Sequence, residues 1–257
     1  MDIQLSALAL SAVLLLIPIL IFSELKIPLV RTLLISFVRM AVQLAIIGLV
    51  LQFIFQQVNL WLTLAWMTVM ITAAVWTVLN RLKFQRNILL PVLTFSLLST
   101  TLLIMPWIVI VVIKPSPVYS PTFLIPIYGM VLGNSMNSCA LALERFESNL
   151  SDNWKAYYTR IIMGANQQEA VLPAFRKALQ TSLMPQLLTV ASIGVVSLPG
   201  MMTGQILGGA SPLVAIKYQM MIMISIFTGV SITDYTAIRM YIRKRFNQYY
   251  LPQNKEK

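Results

Sequence analysis

The chain has 257 residues, 58% of them hydrophobic and 11% charged, with a mean hydropathy of +0.79; a soluble domain carries about 25% charged residues, so a soluble globular protein is excluded. A net charge of +11 would point to nucleic acid only on a soluble basic face, and here the basic residues lie between apolar runs, the pattern that orients membrane proteins. With one cysteine, Cys139, and no histidine, an internal disulfide, a thiolate cluster and an imidazole metal site are excluded as well.

Apolar runs of bilayer-spanning length are predicted at 3–22, 33–56, 60–79, 88–113, 122–143, 183–207 and 214–238. The fold class is therefore all-α, a polytopic membrane protein of about seven transmembrane helices. The first run has no basic flank and no small-residue cleavage site before Glu24, so it reads as a retained helix. Pro28 interrupts the next stretch, and Arg31 and Arg39 fall on nearly one helical face; an interfacial elbow helix is expected before the second span.

Lys26 and Arg31 follow span one, Arg81, Lys83 and Arg86 follow span three, and Arg239, Arg243, Lys244 and Arg245 follow span seven. The connection after span five carries Arg145, Lys155, Arg160, Arg176 and Lys177, whereas the alternate connections hold only Lys114 and Lys217. The positive-inside rule then puts the N-terminus outside and the C-terminus in the cytosol. Residues 1–246 form a single transmembrane domain with a cytosolic loop at 144–177, and 247–257 is a short polar cytosolic tail.

Within that loop Trp154, Tyr157, Tyr158, Ile161, Ile162 and Met163 recur near helical spacing, followed by Gly164-Ala165-Asn166 and a second helical pattern over 167–177. Helix, tight turn and helix are predicted. The chain then runs uncharged from 178 to 216, roughly 39 residues and nearly twice the ~20 that cross a bilayer. It must bend back or break, and Ser197-Leu-Pro199-Gly200-Met201-Met202-Thr-Gly204 supplies the break.

A short helix that projects beyond the membrane, turns sharply at Gly164 and Ala165 and transmits movement to its flanking spans has the form of an ABC permease's coupling loop. Arg160 and Glu169 are candidates for rim ion pairs at that contact. An amphipathic helix lying on the membrane surface is the alternative. Gly200, Gly204 and Gly208 repeat every four residues, as do Gly129 and Gly133; they serve close helix packing, or the Pro199-Gly200 break opens backbone groups to a cavity, as in transporter sites.

Met201 and Met202 flank that break among fifteen methionines. Their thioethers either fill packing gaps or contact a soft metal ion, with Cys139 a further metal candidate. Asn134 and Asn137 share a span at helical spacing, for cargo contact or for interhelical hydrogen bonds. Arg39 and Asp234 would each cost about 2.5–3.5 kcal/mol at a helix centre, so each should face a cavity, a partner or the interface, and an Arg39–Asp234 pair is one arrangement. Lys217 is expected to snorkel, and Glu144 to mark the membrane boundary or attract a cation.

The segments Tyr128-Gly-Met-Val-Leu-Gly-Asn134-Ser-Met-Asn137, Met163-Gly-Ala and Val195-Val-Ser-Leu-Pro-Gly-Met-Met-Thr-Gly204 through Gln219, with Arg39, Gln43, Leu44 and Gly48 in span two, resemble the FetB-type permeases. These are the bacterial iron-export ABC permease family, to which plant aluminium-tolerance membrane proteins are also similar. Relatives usually continue the loop's Gly-Ala with Thr-Pro; this chain has Asn166-Gln167. The resemblance implies a homodimeric permease in a bacterial cytoplasmic membrane, paired with a separate ATP-binding cassette ATPase that holds ATP and magnesium. It implies export of iron or another metal ion, with a nucleotide-sugar or other organic cargo as the alternative.

No Gly-x-x-x-x-Gly-Lys-Ser/Thr run occurs in the chain, so it reads as a transport subunit and not an enzyme. A seven-helix receptor offers no reason for the broken span. A membrane enzyme would lack the usual general bases.

Overall fold

The computed structural model describes residues 10–82, 84–115, 117 and 119–246. The expectations for the opening of span one, for Lys83 and for the 247–257 tail lie outside those residues. Regular structure among the described residues is helical. The chain divides into two compact units, Met1–Gln57 and Val58–Lys257.

In the first unit a 3-10 turn at Ala12–Leu15 leads into α1 (Leu16–Glu24), and α2 runs over Val30–Gln57. Pro28 sits in the turn just before α2, where a fixed φ and a missing N–H do no harm. The expected elbow and span two are therefore one unbroken helix of 28 residues, about 42 Å long. Arg39 is exposed on α2, among exposed apolar side chains that include Leu34, Ile35, Leu44 and Leu49. Hydrocarbon is the solvent that suits such a surface.

The second unit contains α3 (Leu60–Arg81), α4 (Arg86–Pro106), α5 (Pro121–Asp152), α6 (Trp154–Ile162), α7 (Gln167–Ser192), α8 (Gly200–Leu207) and α9 (Pro212–Arg245). After Pro106 the α4 chain continues as a π-helix over Trp107–Ile113. Among the described residues four helices are long and apolar enough to cross a membrane: α2, α3, the Arg86–Ile113 helix and α9. The chain is thus a multi-pass membrane protein.

α9 packs along α5 and α4, and α5 also carries α7 and α3. Leu89, Leu93 and Leu97 of α4, Tyr128, Leu143 and Phe146 of α5, and Ile222, Val230, Ile238 and Tyr241 of α9 are fully buried there. Gly229 marks the closest approach: a Cβ added to it would stand 2.9 Å from Val131 Cγ1 and 3.2 Å from Thr100 Cγ2. Beside it the Thr100 and Thr233 hydroxyls share a 2.6 Å hydrogen bond.

Three predicted boundaries move. The helix that holds span five runs past Leu143, since α5 continues for more than two further turns through Glu144, Arg145 and Glu147 to Asp152; tertiary partners make that charged extension worth keeping. Glu144 meets Arg81 at 3.4 Å, and Glu147 meets Arg245 at 3.1 Å and accepts from Tyr241 Oη at 2.9 Å. Span six is not one helix, since α7 stops at Ser192 and α8 starts at Gly200. The break lies at 193–199, beginning upstream of the predicted 197–204: Ile193 is already extended at ψ 135°, and Gly194 follows at a left-handed φ of +90°. Pro199 then becomes the N-cap of α8, and Gly200 to Gly204 are helical.

Candidate functional site

Residues 154–177 form the helix, turn and second helix that the sequence pattern predicts, with the second helix running on to Ser192. Trp154 stacks on Tyr157 at 5.0 Å and meets Tyr158 edge-on at 4.9 Å, while buried Tyr157 packs on Phe246 at 5.5 Å. One face of α6 is thereby pinned to the bundle. The helix closes with three 3.0 Å amide bonds, Met163 N to Thr159 O, Gly164 N to Ile161 O and Ala165 N to Arg160 O. Gly164 sits at φ +92°, which only glycine adopts without strain.

Asn166, the position that departs from the family pattern, opens α7 with a capping box. Its side chain accepts from Glu169 N at 2.9 Å, and the Glu169 carboxylate accepts from Asn166 N at 2.9 Å. The Asn-x-x-Glu spacing carried that signal in the sequence. Glu169 is thus a cap, and Arg160 donates from Nη1 to the Ala170 carbonyl at 3.2 Å; both are used inside the turn before any partner arrives. Asn166→Ala should cost about 1 kcal/mol, read as faster amide hydrogen exchange over the first turn of α7 with little change elsewhere.

With the turn fixed from both sides, Ile162 and Met163 stand 84% and 82% exposed at its tip. Neither was singled out as a contact residue by sequence reasoning, which could place them on a helix but not on its free face. Beneath the tip, a cavity of about 290 Å³ between α5, α6 and α7 is lined by Asn149, Tyr157, Arg160, Pro173 and Lys177 among others.

α7 runs from this turn to the break, 26 residues or about 39 Å. Along it, Gln186 Nε2 donates to Asn134 Oδ1 at 3.0 Å, and Asn134 donates to the Met130 carbonyl at 2.8 Å. Asn134 therefore ties α5 to α7. Asn137, three residues away, is exposed.

Past the break, a cavity of about 770 Å³ opens between the end of α7, α8 and α9, lined by Gly194, Leu198, Met202, Gln219, Met220 and Met223 among others. Met202 is buried in its wall, whereas Met201 is turned to pack against the core. Cys139 is fully buried in α5, away from this lining. The candidate metal residues Met201, Met202 and Cys139 are thus not gathered into one site; Met202 is joined instead by Met220 and Met223. An added Cβ on Gly200 or Gly204 would meet open space within this chain, so neither glycine serves helix packing here, and Gly129, whose Cβ would come within 3.1 Å of Met70 Cε, does.

Asp234 is fully buried and Ser138 Oγ stands 2.6 Å from its Oδ2. Arg39 belongs to the first unit and Asp234 to the second.

The family model described as an uncharacterised protein family, UPF0014, matches residues 5–246. A UPF0014 membrane protein of Synechocystis sp. is 35% identical over 82% of each chain. Protein ALUMINUM SENSITIVE 3 of Arabidopsis thaliana is 34% identical over 77% of this chain and 71% of its own. The probable iron export permease protein FetB of Escherichia coli is 29% identical over 94% of this chain and 92% of its own. No solved structure matches. With the family model covering nearly all of its length and its helices built to cross a bilayer, the chain belongs to the UPF0014 family of membrane proteins.

Proposed function

We propose that the chain is the permease subunit of an ABC-type exporter, moving iron or another metal ion under the power of a separate ATPase subunit. The observation that carries this reading is the turn at 163–165: a pre-formed, twice-capped projection with two exposed apolar side chains, joined by one continuous helix to a broken segment and its cavity. A surface-lying amphipathic helix would present its apolar face along its length, whereas here that face is packed into the bundle through Trp154 and Tyr157 and only the tip is free.

The reading places seven spans in a bacterial cytoplasmic membrane, with the N-terminus outside and the C-terminus and the 163–165 turn in the cytosol. It pairs two copies of the chain with two ATPase subunits, which hold ATP and magnesium. The metal cargo follows from the name of the Escherichia coli relative. A second reading, an organic cargo, is favoured by the largely apolar 770 Å³ cavity, a size typical of small-molecule sites.

Whole-cell elemental analysis of a deletion strain under iron, copper and manganese loading separates the two. Accumulation of one metal in the deletion strain is the expected result. An unchanged metal profile alongside a complex that still assembles would transfer the cargo to the organic class.

A further inference from the structure

Asp234 lies 11 residues before the end of α9, about 17 Å from that end, where α9, α5 and α7 meet. Ser138 Oγ is 2.6 Å from Asp234 Oδ2 and 3.2 Å from the Ser182 carbonyl oxygen. One hydroxyl hydrogen cannot serve both acceptors fully. Asp234 Oδ1 is buried and has no hydrogen-bond partner. An ionised carboxylate offers two oxygens with about four acceptor sites, and a buried charge of this kind is costly unless a cation or several donors meet it.

The surroundings supply no cation and only two hydroxyl donors, Ser138 and Ser182, each of which also has a backbone carbonyl to serve. From α4, Ser96 donates to its own helix at Val92 O, and Thr100 is engaged with Thr233. From α5 the facing titratable group is the Cys139 thiol, and from α7 the Ser182 hydroxyl faces the Asp234 carboxylate while it also lies 3.2 Å from Leu179 O. On α9 itself, Arg239 is exposed and turned to Tyr235. Among the described residues no cation pairs with Asp234.

We propose that Asp234 is an intramembrane proton-binding site that fastens α7 to the α5–α9 pair. As a carboxylic acid it donates from Oδ2 to Ser138 Oγ, and the Ser138 hydrogen passes to the Ser182 carbonyl. Each acceptor in the chain then has one donor, and no net charge is buried. Loss of the proton leaves a carboxylate competing with the Ser182 carbonyl for a single hydrogen, so the tie to α7 is released. Because α7 joins the exposed turn to the cavity, binding and release of this proton would accompany its movement in the transport cycle; that last step rests on the exporter reading, and the protonation does not.

Infrared spectroscopy of the purified full-length chain in lipid nanodiscs at neutral pH tests the site. A carboxylic-acid C=O band present in the wild type, absent in Asp234→Asn and shifted in Ser138→Ala is the expected result. Absence of any acid band that these substitutions affect would overturn the proposal, as would carboxylate bands that shift on adding Mn²⁺, which would make the site a cation site. If Asp234→Asn does not fold, the Ser138→Ala shift still decides. With the ATPase subunit present, Asp234→Asn should assemble normally and its ATPase activity should lose the pH dependence of the wild type; an unaltered pH profile would remove the proton from the cycle even where the infrared band stands.

Discussion

Ile162→Asp combined with Met163→Asp is expected to abolish co-purification of the ATPase subunit while leaving membrane insertion and the thermal midpoint of the isolated chain unchanged. Both side chains are more than four-fifths exposed and contribute nothing to the bundle, so a charge there has no folded-state cost in water. At an interface centre, each of two buried apolar anchors is worth about 2 kcal/mol, or ~30-fold in Kd, and an aspartate in an apolar groove adds desolvation to that loss. Binding measured by pull-down or by interferometry with the purified ATPase gives the number. Full retention of binding by the double variant would remove the docking assignment of the 163–165 turn.

Gly229→Leu is expected to prevent recovery of folded protein, and Gly229→Ala to lower the thermal midpoint in detergent. The alanine would gain up to about 1 kcal/mol of helix propensity, but its Cβ falls 2.9 Å from Val131 and 3.2 Å from Thr100. Overpacking a tight core costs about 1–3 kcal/mol, so the clash prevails. The larger leucine has nowhere to go, because Val131 belongs to α5, Thr100 to α4, and both neighbours are themselves buried. A Gly229→Ala variant as stable as the wild type would mean that the α9 contact relaxes more readily than its geometry implies.

The two variants probe opposite ends of one mechanical arrangement. The turn is rigid because its bonds are local: Gly164 closes α6, and Asn166 and Glu169 cap α7. The bundle is rigid because α9 lies against α4 and α5 with no side chain at Gly229 to hold them apart. Between them α7 is tied at two places, Asn134–Gln186 and Ser138–Ser182. Both ties join α7 to α5 between the turn and the break at 193–199.

What the linear sequence determined about this protein is whatever depends on local chemistry. Long apolar runs placed α2, α3, α4 and α9, since helix is the structure that satisfies its own backbone in hydrocarbon. Gly164, with Asn-x-x-Glu after it, encoded the turn, and an uncharged run too long for one crossing encoded a break. Only the tertiary structure decided the rest. It began the break at Ile193, which turns extended just before the left-handed Gly194, and not at the nearest proline. It extended α5 to Asp152 because Arg245 and Tyr241, roughly 95 residues away in the chain, hold Glu147. It set Ser138 beside Asp234, and it gathered Met202, Met220 and Met223 around one cavity while turning Met201 and Cys139 away. Each of these is set by which helix faces meet, and such contacts between distant segments leave no periodic trace along a single chain.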